Sequence, residues 1–112
     1  MERSIYRLAI VNRGEAAMRA IRAVRELNQG SERPITVIAL YTEPERRAMF
    51  VREADEAYCL DDGADARGDG AEQPSGYLDL ATLERALVST KADAAWVGWG
   101  FVAEQPEFAE LC

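Results

Sequence analysis

The sequence predicts an α/β fold, in which an open parallel sheet is covered by flanking helices. Short apolar segments with β-branched residues alternate along the chain with longer segments in which apolar residues recur every three or four positions. The first kind of segment is typical of strands buried in a parallel sheet, and the second of amphipathic helices. The first strand passes directly into a helix, which is half of a strand–helix–strand unit.

The first unit is predicted as a strand at residues 8–11 and a helix at residues 13–27. Asn12 lies at the junction, and Glu15 follows three positions later. This spacing predicts that Asn12 is the N-cap and that Glu15 completes a capping box. Gly30 is predicted to end the helix.

The second unit is predicted to begin with a strand at residues 35–41. Thr42 and Glu45 repeat the capping-box spacing, so a second helix is expected from there to about Glu53. A short third strand is predicted at residues 57–60.

Two further helices and one strand are predicted in the last third of the chain. Asp79 is expected to cap a helix that ends near Thr90, a fourth strand follows at residues 92–97, and Gln105 opens the last helix. The residues expected to face the core from these helices are Leu80, Leu83, Leu87, Phe108, Leu111 and Cys112. Because the last helix is so short, the chain is expected to be a piece of a longer protein.

Residues 61–75 are acidic, rich in glycine and poor in large apolar side chains. Such a composition cannot offset the entropy of ordering, so we expect a mobile surface insertion that the fold does not need.

Composition excludes several functions. The 112 residues are 48% hydrophobic, which fits one domain with its own core. A net charge of −7 argues against a nucleic-acid face. The sequence contains no histidine, which excludes Ser–His triads and histidine metal sites in this chain.

The two cysteines, Cys59 and Cys112, form neither a disulfide framework nor a metal site by spacing, and Cys59 is expected to be a buried thiol. No apolar run approaches the ~18 residues of a membrane span, and no signal sequence is visible. We therefore expect a cytoplasmic protein without a membrane partner.

Seven segments, in order, carry a resemblance to a known family. The first is Ile10-Val11-Asn12-Arg13-Gly14-Glu15-Ala16-Ala17-Met18-Arg19. The others are residues 40–43 with Arg46 and Arg47, and residues 54–57, 76–79, 92–94, 98–101 and 106–110. Together they resemble the N-terminal domain of the biotin carboxylase component of biotin-dependent carboxylases, so residues 1–112 are expected to form that domain.

The resemblance implies a Rossmann-like, pre-ATP-grasp fold. It also implies that the full enzyme uses ATP, Mg²⁺ and bicarbonate to carboxylate biotin on a carrier domain. The expected partners are the ATP-grasp domain of the same chain, the biotin carboxyl carrier domain, a carboxyltransferase and a second copy of the enzyme. Catalytic groups are expected in the ATP-grasp domain and none in these residues, so this segment alone is expected to be inactive.

Gly98, Trp99 and Gly100 follow the fourth predicted strand and allow three interpretations. With Ala103 they fit a relaxed G-x-G-x-x-A dinucleotide motif, although that motif belongs after a first strand. The glycines could also serve turn geometry alone. The family resemblance implies a loop that faces biotin. Its Trp-x-Gly-Trp-Gly pattern is similar to that of multidomain acyl-CoA carboxylases, and Trp99 replaces the tyrosine that is common in the family.

Arg19, Arg22 and Glu26 share one face of the first predicted helix. They fit a solvated face, whereas the resemblance implies a dimer interface at the positions of Arg22 and Glu26. Arg13 fits either an anion contact or an ordinary surface arginine.

Two functions outside this family are alternatives. One is a cofactor-binding module of an oxidoreductase, and the other is a non-enzymatic, receiver-like domain. The second lacks the acidic residues that it needs after the first strand.

Overall fold

The computed structural model describes residues 5–60, 80–98 and 106–112. In these residues the elements are strands β1 (Arg7–Ile10), β2 (Thr36–Tyr41), β3 (Glu56–Cys59) and β4 (Ala94–Trp96), and helices α1 (Gly14–Asn28), α2 (Met49–Glu53), α3 (Leu80–Thr90) and α4 (Pro106–Leu111). The four strands form a parallel sheet in the order β3-β2-β1-β4. The predicted α/β fold with an open parallel sheet is confirmed.

Alternate residues of each strand point to opposite sides of the sheet, and helices pack on both sides, so both faces are buried. On β1, Ile10 packs with α1, whereas Ala9 packs with α3. The cluster on the α1 side is Ile10, Ala17, Ala20, Ile21, Val24, Val37, Ala39, Tyr41, Phe50 and Cys59. The cluster on the α3 side is Ala9, Val11, Ile38, Leu40, Leu60, Leu83, Ala86 and Phe108.

Polar side chains fix the amino ends of the strands. The Asp93 carboxylate accepts hydrogen bonds from the backbone N–H groups of Tyr6 (3.0 Å) and Arg7 (2.9 Å). The Arg7 guanidinium forms two hydrogen bonds to Glu56, at 2.7 and 2.9 Å, and also donates to the carbonyl of Thr90. These bonds tie β1, β3 and the end of α3 together at the same end of the sheet.

A second fixing point at this end uses an asparagine. The Asn28 side chain donates to the carbonyl of Ile35 at 2.9 Å and accepts from the N–H of the same residue at 2.8 Å. The Asp55 carboxylate accepts from the N–H of Val37 at 2.8 Å. The start of β2 is therefore held from both sides.

The prediction that Asn12 caps α1 is wrong. The cap position is Arg13, which makes no side-chain capping bond, and the helix begins at Gly14. The side chain of Asn12 instead bonds to Val97, directly after β4, and Glu15 forms an ion pair with Arg19 at 2.8 Å. Both side chains that were expected to cap the helix therefore bond to other partners. Gly30 follows the helix with φ +75°, in agreement with its predicted position.

The single helix predicted after Thr42 is also wrong, because the structure divides it. A 3-10 helix covers Glu43–Glu45, extended backbone follows at Ala48, and α2 begins afterwards. The backbone N–H of Glu45 already donates to the carbonyl of Thr42 at 2.9 Å, which closes a tight turn in place of an α-helical one.

Cys59 is buried as predicted, and Phe108 faces the core, but Cys112 is exposed, contrary to the prediction. The predicted caps at Asp79 and Gln105 and the predicted insertion at residues 61–75 lie outside the described residues.

Candidate functional site

The order of the strands places the candidate site between β1 and β4. From β1 the chain adds β2 and then β3 on one side, and it then crosses to add β4 on the other side of β1. In open α/β sheets, ligands bind beyond the carboxyl ends of the strands at such a switch point. Residues 11–13 follow β1 at this point, and Val97 and Gly98 follow β4.

Asn12 joins the carboxyl ends of these two strands. Its side-chain Nδ2 donates to the carbonyl of Val97 at 2.8 Å, and its Oδ1 accepts from the backbone N–H of Arg13 at 2.8 Å. The backbone N–H of Val11 donates to the carbonyl of Trp96 at 2.9 Å just before it. Asn12 therefore extends the β1–β4 pairing by one side-chain hydrogen bond. It is 3% exposed, and among the described residues it is the only polar residue that is buried.

Gly98 occupies a position that requires glycine. Its φ is +65°, a conformation that L side chains rarely adopt. A Cβ atom at this position would lie 2.6 Å from Cη2 of Trp96 and 3.1 Å from Nδ2 of Asn12. Gly98 is therefore packed closely against the ends of both strands of the switch point.

A second cluster of polar side chains lies around the carboxyl end of β2. Arg13 forms an ion pair with Glu45 at 3.2 Å, and the hydroxyl of Thr42 donates to the same carboxylate at 3.3 Å. The ion pair links the start of α1 to the 3-10 helix. Arg13 is thus a partly exposed arginine engaged with a neighbouring carboxylate, and its contact with an anion stays a prediction.

Glu43 lies in a similar arrangement. Its carboxylate accepts from Arg46 at 2.8 and 2.6 Å, and this guanidinium also lies over the ring of Tyr41, 5.7 Å from its centroid. The hydrogen bonds from Arg46 hold the pKa of Glu43 below its ordinary value. The thiol of Cys59 is directed to the same carboxylate at 3.6 Å.

These carboxylates are engaged by arginines, and this arrangement does not fit a magnesium site. Across residues 5–60, 80–98 and 106–112 no group of three or more acidic or cysteine side chains is placed to hold a metal ion. Lys91 is the only lysine in the sequence. It lies between α3 and β4 at the amino end of the sheet, away from Asn12 and Gly98. Within the described residues, no helix is long and apolar enough to cross a membrane.

The structure places the predicted site residues in two separate regions. Gly98 lies at the switch point, whereas Trp99 and Gly100 lie outside the described residues. Arg19, Arg22 and Glu26 lie on the exposed side of α1, and the ion pair from Arg19 runs to Glu15.

Sequence reasoning missed two residues of the site. The local pattern presents Asn12 as a helix cap and Trp96 as an ordinary residue of the fourth strand. The sequence does carry one usable signal for Asn12, because a polar residue directly after a buried strand must satisfy its amide when it is itself buried.

The parallel sheet, its switch point and the position of Gly98 define the class: a Rossmann-like α/β domain with its candidate site beyond the ends of β1 and β4. The chain belongs to the biotin carboxylase N-terminal domain family, whose model matches residues 4–112. Membership of this family supports the main interpretation of the sequence over the two alternatives, an oxidoreductase module and a receiver-like domain.

Individual relatives agree with this assignment. The chain is 41% identical over 108 residues to biotin carboxylase 1 of Bacillus subtilis (strain 168), covering 96% of this chain and 21% of that protein. It superimposes with a TM-score of 0.76, at 33% identity, on the biotin carboxylase domain of Hydrogenobacter thermophilus 2-oxoglutarate carboxylase, solved as a dimer with MgADP, ADP and bicarbonate; 99% of this chain and 21% of that one are covered.

A third similarity is to a single-chain, multi-domain long-chain acyl-CoA carboxylase. The TM-score is 0.73 at 32% identity, with 94% of this chain and 9% of that chain covered. The chain therefore spans a small part of each relative.

Proposed function

We propose that this chain is the N-terminal domain of an ATP-dependent biotin carboxylase, which uses ATP and bicarbonate to carboxylate biotin on a carrier domain. The observation that carries the proposal is the switch point itself, where Gly98 follows β4 with φ +65° and packs against Asn12 and Trp96. Family membership over residues 4–112 supports it. In this proposal Gly98, Trp99 and Gly100 form the loop that faces biotin.

ATP and Mg²⁺ are assigned to an ATP-grasp domain of the same chain. The described residues support this division of labour, because the carboxylates near the carboxyl end of β2 are engaged by Arg13 and Arg46. Lys91 lies at the other end of the sheet. No step of ATP or metal chemistry is assigned to these residues, and the segment alone should not hydrolyse ATP.

The further partners are a biotin carboxyl carrier domain, a carboxyltransferase and a second copy of the enzyme. We propose that Arg19, Arg22 and Glu26 lie in the interface between copies; their exposure on α1 and the dimer observed for the 2-oxoglutarate carboxylase domain support this. We propose an acyl-CoA as the final acceptor, a cytoplasmic location, and residues 61–75 as a dispensable insertion in a domain that covers residues 1–112.

Trp99→Ala in the full-length enzyme tests the assignment of the loop. If the loop serves carboxylation, biotin-dependent turnover should fall while the melting temperature stays close to that of the wild type. A buried structural tryptophan would instead lose about 3–5 kcal/mol of stability on the same truncation. Kinetics and thermal unfolding are measured on the same preparation, and a destabilised variant with normal specific activity would contradict the proposal.

A further inference from the structure

We infer that Asn12 is a positioning residue for biotin carboxylation, because its side-chain amide fixes the peptide that begins the glycine turn. The inference rests on the proposed function of that turn. Asn12 does not need to touch biotin itself. It acts through the Val97–Gly98 peptide, whose carbonyl oxygen accepts from Nδ2 of Asn12 at 2.8 Å.

The hydrogen bonds of Asn12 define which way its amide faces. Oδ1 accepts from the N–H of Arg13 at 2.8 Å, which leaves Nδ2 as the group directed at Val97. Burial makes this arrangement costly to change, since Asn12 is 3% exposed and an unpaired buried amide is unfavourable. The side chain is therefore held as a donor towards β4.

A fixed donor at this point sets the orientation of the next peptide. None of the described peptide bonds is cis, so the C=O of Val97 and the N–H of Gly98 point in opposite directions. With the carbonyl held by Asn12, the N–H of Gly98 points away from β1. A flipped peptide would turn that N–H towards Nδ2 of Asn12, where two donors would face each other.

The same side chain also packs against Gly98. Nδ2 of Asn12 would lie 3.1 Å from a Cβ at residue 98, so the amide packs directly under the glycine. The bond joins residues 85 positions apart, beyond the last backbone bond between β1 and β4. Asn12 thus links Val97 and Gly98 to the paired strands of the sheet.

The test compares two asparagines with the same chemistry at opposite ends of the sheet. Asn12→Asp keeps the acceptor for Arg13 and removes the donor to Val97, and Asn12→Ser shortens the side chain so that it no longer reaches β4. Asn28→Asp and Asn28→Ser are the matched controls. Asn28 also bonds to backbone N–H and C=O groups, but at the start of β2.

All four variants are made in the full-length carboxylase and assayed with free biotin as acceptor. We expect the Asn12 variants to lose about tenfold or more in kcat/KM for biotin, the effect of one well-placed hydrogen bond. Their KM for ATP should stay within about twofold of the wild-type value, since the ATP site is elsewhere. The Asn28 variants should lower the melting temperature without changing either constant.

The inference is overturned if the Asn12 variants match the wild type in kcat/KM for biotin, or if the constants for ATP and biotin change together. It is also overturned if neither Asn12 variant folds while both Asn28 variants do, because Asn12 would then serve folding alone. If only Asn12→Asp fails to fold, Asn12→Ser decides. A wild-type enzyme without biotin-dependent turnover would reject the proposed function itself, which separates that failure from the failure of this inference.

Discussion

Gly98→Ala should destabilise the domain through two effects that the structure separates. An alanine at φ +65° costs about 1–2 kcal/mol for the left-handed backbone alone. The added methyl would also lie 2.6 Å from Cη2 of Trp96, and overpacking of this kind costs about 1–3 kcal/mol. The ring of Trp96 packs with the buried cluster on the α1 side, which limits how far it can retreat. The expected loss is about 2–5 kcal/mol.

Gly30→Ala provides the matched control. Gly30 has φ +75°, and no atom lies within 4 Å of the position that the added methyl group would take, so only the backbone cost remains. Urea unfolding of wild type and both variants, followed by circular dichroism, gives each free energy of unfolding. We expect Gly98→Ala to lose about 1–3 kcal/mol more than Gly30→Ala. Equal losses would refute the close contact of the turn with Trp96 and Asn12.

Two further predictions concern the core and the amino end of the sheet. Phe50→Ala should cost about 3–5 kcal/mol, because this side chain is 1% exposed, whereas Met49→Ala, 62% exposed, should cost little in the same thermal unfolding experiment. The hydrogen bonds from Arg7 hold the pKa of Glu56 below its ordinary value, so their stabilisation is present above the ordinary pKa of the carboxyl group and is lost as the pH falls through the lower folded-state pKa. Glu56→Gln should therefore lose less melting temperature than the wild type between about pH 7 and pH 3, and an unchanged difference would contradict the assignment. Glu15→Gln, on the exposed side of α1, is the control.

The strands and the helices α1, α3 and α4 could be predicted from sequence because burial dictates their pattern. The predicted first strand at residues 8–11 and the observed Arg7–Ile10 differ by one residue, and the second strand ends at Tyr41 in both. Val37, Ala39 and Tyr41 face one side and the residues between them the other, which produces a continuous apolar run.

Polar residues were harder to assign because their partners are distant in the chain. Asn12 has the right residue type and spacing for a helix cap, but its amide donates to the carbonyl of Val97. No local sequence pattern identifies Val97 as the partner. Thr42 and Glu45 fail as a capping box for a similar reason, since Glu45 pairs with Arg13. In the candidate site, the glycine pattern was visible, whereas the approach of Trp96 to Gly98 required the fold.

The pairing of β1 with both β2 and β4 has a consequence for the order of assembly. Strands β1, β2 and β3 lie close together in the chain, so their pairing requires only short loops to close. β4 joins from much farther along, and the bond between Asn12 and Val97 spans 85 positions. Such long-range contacts form late, because their loop entropy must be offset by structure that already exists. Gly98 therefore acquires its packing against Asn12 and Trp96 only when the sheet is complete.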